Sequence, residues 1–264
     1  PVQVSLHDGA TSGLEEMDYF LTDNYLHPAD TKEMFTEELY RIPSLFQWPH
    51  IQGAADTGAL PVDQAGFITF GSFNNPAKIN NQVIHLWAEV LKSVSGSRLL
   101  FKYKNWYNEA SLHDRLINEF ATCGIEKDRI DFIASLGTRG EHLKQYAKVD
   151  IALDPFPFSG ATTTFEALWM GVPVVTLAGE TFISRMSGSM LQQVGLGDLA
   201  LDTQKSYVAA AKKLASDHVR LRTLRKELRE HVKASLICDP LAYSQSVEDA
   251  YRSMWATWCH QTDK

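Results

Sequence analysis

Cysteine is scarce in this chain, and no metal-binding or disulfide pattern is built from it. The 264 residues include three cysteines, Cys123, Cys238 and Cys259, at wide spacings and without a CxxC or CxxxxH motif. An odd number at such spacings argues against a disulfide framework and against a zinc site. We interpret the three as reduced thiols of a cytoplasmic protein.

Several motifs that identify other protein classes are also missing. The sequence has no G-x-G-x-x-G after its first strand, no G-x-x-x-x-G-K-[ST], no H-E-x-x-H and no G-x-S-x-G. These absences argue against a standard dehydrogenase, a P-loop NTPase, a zincin and an α/β-hydrolase. No signal peptide and no apolar run near 18 residues is found, so we expect no membrane partner. The formal net charge of -7 disfavours a nucleic-acid partner held by bulk electrostatics.

What the sequence does contain is a regular alternation of apolar strands with helices of about ten residues. Strands are predicted at 66–71, 98–103, 129–134, 149–154 and 172–177. Helices are predicted at 80–94, 110–123, 141–148, 164–170 and 184–194. This alternation indicates βαβ units, and hence an α/β fold with a doubly wound parallel sheet. The continuous apolar runs of the strands fit a sheet covered on both faces.

The two ends of the chain are less regular. Residues 1–65 predict an opening strand, a second short strand near 19–22 and mixed loops, with 53–61 as a linker. Because Pro1 begins what reads as a strand already under way, we expect a fragment of a longer polypeptide. The C-terminal third is predicted to be helical. Two stripes there are interpreted as core packing: Leu214, Leu221, Leu224 and Leu228, then Tyr243, Val247, Tyr251, Met254, Trp255 and Trp258 of a last helix at 241–259.

An open parallel sheet binds its ligands beyond the carboxyl ends of its strands, so the loops that follow strands are the candidates. Loop 72–78 ends in Lys78, which either reaches a phosphate as a point charge or is a solvated loop lysine. Loop 135–142 contains two glycines, which allow close approach of a ligand to the backbone. In that loop Arg139 could stack on a ligand or bind an oxyanion, and His142 could bond a ligand or cap its own helix. Arg185, after the strand at 172–177, faces either the site or the surface.

The loop from Asp154 to Glu166 is the most informative. Small residues precede three threonines that open a helix, and the free N–H groups and dipole of a helix start form an anion site. Glu166, about one turn further in, could accept hydrogen bonds from the two hydroxyls of a ribose. The combination predicts a nucleoside diphosphate, and the alternative is a helix capped by threonine with Glu in its first turn.

Segments 71–79 and 150–176 resemble the catalytic region of O-GlcNAc transferases, in particular the Spindly branch and its bacterial relatives. Segments 17–23 and 251–255 resemble further parts of that family. The resemblance implies a GT-B arrangement of two Rossmann-like lobes preceded by tetratricopeptide repeats. It implies that residues 1–65 are the tail of the N-terminal lobe and 66–240 the nucleotide-sugar-binding lobe. Residues 241–264 would be a helix that crosses back to the first lobe.

The resemblance also implies roles for individual residues. It assigns the diphosphate to Asn75, Lys78, Thr162 and Thr163, the base to Gly137, Thr138 and Arg139 with His142 following, and the ribose to Glu166. Lys78 and His142 are the catalytic candidates. Two departures from the family bear on sugar choice and activity. Ala161 stands where the family often carries His, so one phosphate donor is lost. Residues 7–13 replace a loop that is usually Gly-Tyr-Pro-Gly-like and lies near the sugar and the acceptor.

The function so implied is an inverting transfer of GlcNAc from UDP-GlcNAc to Ser or Thr hydroxyls of proteins, without a metal or other cofactor. Lys78 and the N–H groups of Thr162 and Thr163 would stabilise the leaving diphosphate. GDP-fucose as donor, as in Spindly-type members, is one alternative. A nucleotide-binding module without transferase activity is another, and the length of the match disfavours a metabolite glycosyltransferase. Because a GT-B site lies between two lobes, we expect the isolated chain to be inactive.

Overall fold

The computed structural model describes residues 2–6, 9–134 and 136–262, so the predictions that fall on Pro1, His7, Asp8 and Ser135 lie outside the described residues. A small parallel sheet begins the fold, with strands in the order β1-β2-β3. Its strands are β1 (Val4–Ser5), β2 (Tyr19–Asp23) and β3 (Glu38–Ile42). The first two were predicted. The third was not, because its mixed Glu-Leu-Tyr-Arg-Ile sequence gives little apolar signal.

The main sheet has six strands in the order β6-β5-β4-β7-β8-β9, and every neighbouring pair is parallel. The strands are β4 (Thr69–Ser72), β5 (Arg98–Lys102), β6 (Ile130–Ile133), β7 (Ile151–Leu153), β8 (Val174–Leu177) and β9 (Ala200–Leu201). In this order the strands run outward from β4 in one direction and from β7 in the other, as in doubly wound nucleotide-binding folds. The predicted fold class is confirmed, and the two-residue β9 is its one unpredicted strand.

Helices connect and cover these strands. They are α1 (Val62–Ala65), α2 (Asn81–Ser93), α3 (Ala110–Thr122), α4 (Arg139–Lys144), α5 (Thr162–Trp169), α6 (Phe182–Gln193), α7 (Gln204–Ser216), α8 (His218–Ala234) and α9 (Pro240–Thr262). Helix α2 packs against α3 and α7, and α5 packs against α6 and α8. Every residue of β4 is buried, so helices and loops cover both faces of the sheet at its centre.

The four leucines of the predicted stripe lie on two helices. Leu214 lies on α7, whereas Leu221, Leu224 and Leu228 lie on α8, and all four are buried. Asp217 separates the helices, because it ends α7 and its side chain accepts a hydrogen bond from the backbone N–H of Arg220. Core packing is therefore confirmed for these leucines.

The predicted stripe of the last helix is only partly in the core. Met254 is buried on α9, but Tyr251 is 43% exposed and Trp255 is 50% exposed. The helix packs against β3 and against the turn at Leu236–Cys238. Because Tyr251 and Trp255 are about half exposed, the interpretation of the whole stripe as core is wrong. No helix in the described part of the chain combines the length and apolarity required to cross a membrane.

Arg185 was expected to face either the site or the surface; it is half-buried, and its guanidinium is held by backbone carbonyls. Its Nε donates a hydrogen bond of 2.6 Å to the carbonyl of Tyr25, and its guanidinium lies 4.6 Å from the centroid of that ring. A second hydrogen bond, of 2.9 Å, goes to the carbonyl of Gly179. Arg185 therefore holds α6 against the segment that follows β2.

Two buried charged residues, Asp150 and Arg225, form hydrogen bonds with backbone groups around β7 of the main sheet. The Asp150 carboxylate, just before β7, accepts hydrogen bonds from the N–H groups of Val62 and Thr69 at 3.0 and 2.8 Å. On α8, the Arg225 guanidinium donates to backbone carbonyls, including those of Val149 and Met170. Burial raises the pKa of Asp150 and lowers the pKa of Arg225 to about 10. These contacts fix the position of β7 beside β4, where the site lies.

Candidate functional site

The chain connections leave β4 and β7 in opposite directions, and a crevice opens between the loops that follow these two neighbouring strands. A cavity of about 790 Å³ occupies it, a size typical of ligand sites. Every residue predicted for the site lines this one cavity: Asn75, Lys78, Gly137, Thr138, Arg139, His142, Ala161, Thr162, Thr163 and Glu166. Three loops that are far apart in the sequence thus meet at the carboxyl edge of the sheet.

The loop after β4 brings Lys78 across the crevice. Asn75 starts a 3-10 turn at Pro76–Lys78, and its side chain accepts a hydrogen bond of 3.0 Å from the N–H of Ala77. The Nζ of Lys78 donates a hydrogen bond of 2.7 Å to the carbonyl of Ser159. The same Nζ lies 3.9 Å from the centroid of the Phe158 ring. Burial lowers the pKa of Lys78, while the nearby Asp154 carboxylate acts in the opposite direction. The interpretation of Lys78 as a solvated loop lysine is wrong.

Helix α5 opens towards the cavity without a side-chain cap. Its N-cap residue is Ala161, and its first intrahelical hydrogen bond runs from the N–H of Phe165 to the carbonyl of Ala161. The N–H groups of Thr162 and Thr163 precede that bond, so no acceptor within the helix is available to them. The hydroxyl of Thr163 donates to Asn74 Oδ1 at 3.0 Å. The alternative of a threonine-capped helix is therefore wrong, and the helix start keeps its donors for a ligand.

A buried carboxylate shapes the turn before α5. Asp154 accepts hydrogen bonds from the N–H of Gly160 at 2.8 Å and from the hydroxyl of Thr176 at 2.7 Å. A Cβ at position 160 would lie 2.9 Å from Asp154 Oδ1, so only glycine fits there without displacement. Burial raises the pKa of Asp154, although its hydrogen bonds oppose this effect. The small residues of this turn thus bring the chain close to Asp154 and aim α5 at the cavity.

Glu166 and His142 are in direct contact. Oε2 of Glu166 lies 2.9 Å from Nε2 of His142, and the other ring nitrogen, Nδ1, is hydrogen-bonded to Nζ of Lys102. His142 therefore does not cap its own helix, since the N-cap of α4 is Thr138. Burial lowers the pKa of Lys102, and the charge of Glu166 acts against that shift. Lys102 was not predicted; the available signal was a lysine at the carboxyl end of an otherwise apolar strand.

The loop before α4 is held by a capping box. The N–H of Thr138 donates to Glu141 Oε2 at 2.7 Å, and the hydroxyl of Thr138 accepts from the N–H of Glu141 at 3.3 Å. A Cβ at Gly137 would lie 2.9 Å from the Cβ of Glu141, so this tight loop requires glycine at that position. Arg139 is exposed at the rim. Because the N–H and hydroxyl of Thr138 are already used, the loop contributes shape and the Arg139 cation more than free donors.

Further lining residues were not singled out from the sequence: Phe73, Asn74, Lys102, Tyr103, Lys104, Leu136, Phe158 and Met186. Most of them lie in or beside loops that were named as candidates. Lys104 has a positive φ of 45°, which is uncommon for a residue other than glycine. Within the described ranges, no group of three or more His, Cys, Asp or Glu residues is placed to hold a metal ion.

Known proteins resemble this chain over nearly its whole length. The barley (Hordeum vulgare) probable UDP-N-acetylglucosamine--peptide N-acetylglucosaminyltransferase SPINDLY is 39% identical over 98% of the chain, which spans 28% of that protein. A mutant of the O-GlcNAc transferase from Thermobaculum terrenum is 34% identical and superposes with a TM-score of 0.89, covering 99% of this chain and 50% of that one. Sucrose-phosphate synthase from Thermosynechococcus elongatus, 17% identical with a TM-score of 0.55 over 92% of this chain and 60% of its own, shares the fold. Residues 52–247 match the family model Glycosyl transferase family 41, and the chain belongs to that family.

Proposed function

We propose that this chain holds the nucleotide sugar in a transferase that moves a sugar to Ser or Thr hydroxyls of proteins. The observation that carries the proposal is the convergence of three groups on one cavity: the Lys78 ammonium, the free N–H groups at the start of α5, and the Glu166 carboxylate. A cation and helix-start donors suit a diphosphate. A carboxylate one turn further along suits the hydroxyls of the adjoining ribose. The names of the relatives support a peptide acceptor.

In the proposed reaction, the acceptor hydroxyl attacks the anomeric carbon from the face opposite the diphosphate. A bond from oxygen to that carbon forms, and the bond from the carbon to the phosphate oxygen breaks. The electron pair leaves on the diphosphate, and the hydroxyl proton passes to a general base, which we assign to the N-terminal lobe. Lys78 and the N–H groups of Thr162 and Thr163 stabilise the charge on the leaving oxygen. Asn75 lies beside them, and no step requires a metal.

For the donor we favour UDP-GlcNAc, in line with the names of the barley relative and of the Thermobaculum protein. The alternative is GDP-fucose. The nucleobase of the donor would lie near Gly137, Thr138 and Arg139, which line the same cavity as Lys78. Titration of the chain with UDP and with GDP by calorimetry tests the proposal and separates the donors. We expect UDP to bind the more tightly; binding of neither nucleotide would contradict a nucleotide site.

We also infer the domain arrangement. Residues 1–65 end the N-terminal lobe, 66–240 form the nucleotide-sugar lobe, and 241–264 form the helix that returns to the first lobe. The exposed Tyr251 and Trp255 of α9 support this, because they offer an apolar surface for that lobe. The chain spans 28% of the barley relative, which leaves room for the rest of the lobe and for tetratricopeptide repeats upstream. We place the protein in the cytoplasm and expect the isolated chain to bind nucleotide without transferring sugar.

A second candidate function is nucleotide binding without transfer in the intact protein. Ala161 favours it, because its methyl group stands at the start of α5 and offers no side-chain donor to a phosphate. A transfer assay with the full-length protein, UDP-GlcNAc or GDP-fucose and a protein acceptor decides between the two. Nucleotide binding without any glycosylated product would favour the binding module.

A further inference from the structure

Lys102 is a buried cation that the proposed transfer does not use. It is the last residue of β5 and is 4% exposed. In the described part of the chain its Nζ meets no carboxylate directly and is instead bonded to Nδ1 of His142. Burial of an ammonium group without a direct counter-ion costs free energy, and an apolar side chain at such a position would make folding more favourable. The placement of Lys102 therefore calls for a role other than stabilising the fold.

The contact with Lys102 determines where His142 carries its proton. An ammonium group has three donors and no acceptor. Nδ1 of His142 must therefore accept the hydrogen bond from Lys102, which leaves it without a proton. In the neutral ring the proton then lies on Nε2. Nε2 is 2.9 Å from Oε2 of Glu166, so it donates to that carboxylate. With Lys102 charged and the imidazole neutral, Lys102 donates to Nδ1 and Nε2 donates to Glu166.

The same contacts hold the ring and the carboxylate in place. Both nitrogens of His142 are engaged, and the centroid of the Phe73 ring lies 5.8 Å from that of the imidazole. Oε2 of Glu166 is occupied by the imidazole, and no residue that the structure describes is hydrogen-bonded to Oε1, which is left for a ligand. Loss of the Lys102 ammonium would allow Nδ1 to take up a proton, and the ring could then present an acceptor instead of a donor to Glu166. The carboxylate would lose the hydrogen bond that orients it.

We propose that Lys102 is a positioning residue, which selects the Nε2–H tautomer of His142 and thereby orients Glu166 towards the sugar of the nucleoside. The proposal rests on the proposed function, because it assigns the free oxygen of Glu166 to a ribose. It concerns the nucleoside end of the ligand and leaves the diphosphate end to Lys78 and α5. Lys102 acts through His142 rather than by contact with the nucleotide.

The first test reads the tautomer in the protein of unchanged sequence. Nitrogen-15 NMR of the imidazole rings, with His142→Gln to identify the signals of that residue, distinguishes a protonated Nε2 from a protonated Nδ1. We expect Nε2–H and an unprotonated Nδ1 in the 264-residue chain without ligand. A proton on Nδ1 overturns the proposal, and this result needs neither a Lys102 variant nor a bound nucleotide.

The second test compares ligands on Lys102→Met, a replacement of similar length without charge. Calorimetry with UDP, GDP and inorganic pyrophosphate should show about tenfold weaker binding of whichever nucleotide the unchanged chain prefers, as expected for one weakened hydrogen bond to a charged group. Pyrophosphate affinity should not change. Lys92→Met, at an exposed lysine paired with Glu89, is the control of equal charge change and should match the unchanged chain for all three ligands.

The outcomes separate the two proposals. Equal losses for pyrophosphate and nucleotide would show that Lys102 contacts the phosphates, and unchanged affinity for every ligand would show that it positions nothing; either result overturns the positioning role of Lys102. If the unchanged chain binds neither nucleotide, the proposed function fails, while the tautomer of His142 is still decided by NMR. If Lys102→Met does not fold, the NMR spectrum of the unchanged chain still tests the proposal, because a proton on Nδ1 of His142 would overturn it.

Discussion

Nζ of Lys78 donates a hydrogen bond of 2.7 Å to the carbonyl oxygen of Ser159. This bond joins the loop after β4 to the loop after β7 across the crevice of the main sheet. An ammonium group has three N–H donors, so the bond to Ser159 leaves two for other acceptors. The lysine is therefore oriented without a ligand, and the proposed binding of a diphosphate would require little further ordering of its long side chain.

Replacement of this lysine by methionine tests the diphosphate site. We expect Lys78→Met to weaken binding of the preferred nucleoside diphosphate by about 10- to 100-fold, the range for loss of a hydrogen bond to a charged group. Sugar transfer by the full-length protein should fall at least as far, because charge grows on the leaving oxygen. Calorimetry and a product assay measure the two effects. Equal affinity and rate in Lys78→Met and in the control Lys92→Met would contradict the role of Lys78.

Replacement of Glu166 by glutamine tests the ribose contact. The change removes the negative charge that would accept hydrogen bonds from the ribose hydroxyls, and we expect about tenfold weaker binding of the ribonucleotide. The matched ligand is the 2′-deoxynucleoside diphosphate, for which the loss caused by Glu166→Gln should be clearly smaller. Glu126→Gln, at an exposed residue, serves as the control. If Glu166→Gln lowered the affinity equally for the ribonucleotide and the 2′-deoxynucleotide, Glu166 would not bind the 2′-hydroxyl.

Arg225 offers a test of what holds β7 in place. We expect Arg225→Met to lower the free energy of unfolding by about 2–4 kcal/mol, because buried carbonyls of residues such as Val149 and Met170 lose their donor. Urea denaturation measures this. Arg222→Met is the matched control three positions earlier on α8, where an arginine pairs with Asp63 at the surface, and it should change stability far less. Equal effects of the two variants would contradict the proposed importance of the buried contacts.

The lowered pKa of Glu37 predicts that the folded protein loses stability in acid over a defined pH range. Burial alone would raise the pKa of this carboxyl, but hydrogen bonds from Ser12 and Thr11 lower it to about 2, from an ordinary value of 4.5. A pKa that is lower in the folded state contributes stability above 4.5, and this contribution is lost as pH falls from 4.5 towards 2. Within that window the slope should reach at most about 1.4 kcal/mol per pH unit, the value for one proton.

The measurement compares the unchanged chain with Glu37→Gln. The difference in unfolding free energy between them should be largest near neutral pH and should shrink as the pH falls through this window. The other carboxyl groups are common to both proteins and cancel in the comparison. A difference that stays constant from about pH 7 to about pH 2 would contradict the lowered pKa of Glu37.

The sequence was sufficient to predict the central strands and the loops of the site. Strands β4, β5, β7 and β8 have mostly buried residues on both faces, which gives the continuous apolar runs that the prediction used. Strand β3, with its mixed Glu-Leu-Tyr-Arg-Ile sequence, and the two-residue β9 give no such run, and they were missed for that reason. The ten residues expected at the site share one cavity, but their roles in binding and catalysis stay predictions.

Residues whose significance depends on distant partners could not be recognised from the sequence. Lys102 looked like the end of a strand, because its partner His142 lies 40 positions further along. Arg225 looked like one of many arginines on an amphipathic helix, and only the packing of α8 on the sheet shows that it is buried. For Tyr251 and Trp255, an apolar stripe was visible, but its spacing does not show that these two side chains are about half exposed.

The position of β7 between β4 and β8 has a consequence for the chain as it is synthesised. Strands β4, β5 and β6 can pair as soon as they emerge, yet they enclose no ligand site, since the opposite wall comes from α5. The cavity first exists when residues beyond Glu166 are available and β7 has paired with a strand made about 80 residues earlier. If a nucleotide binds in this cavity, it would stabilise only chains in which β7 has already paired with β4.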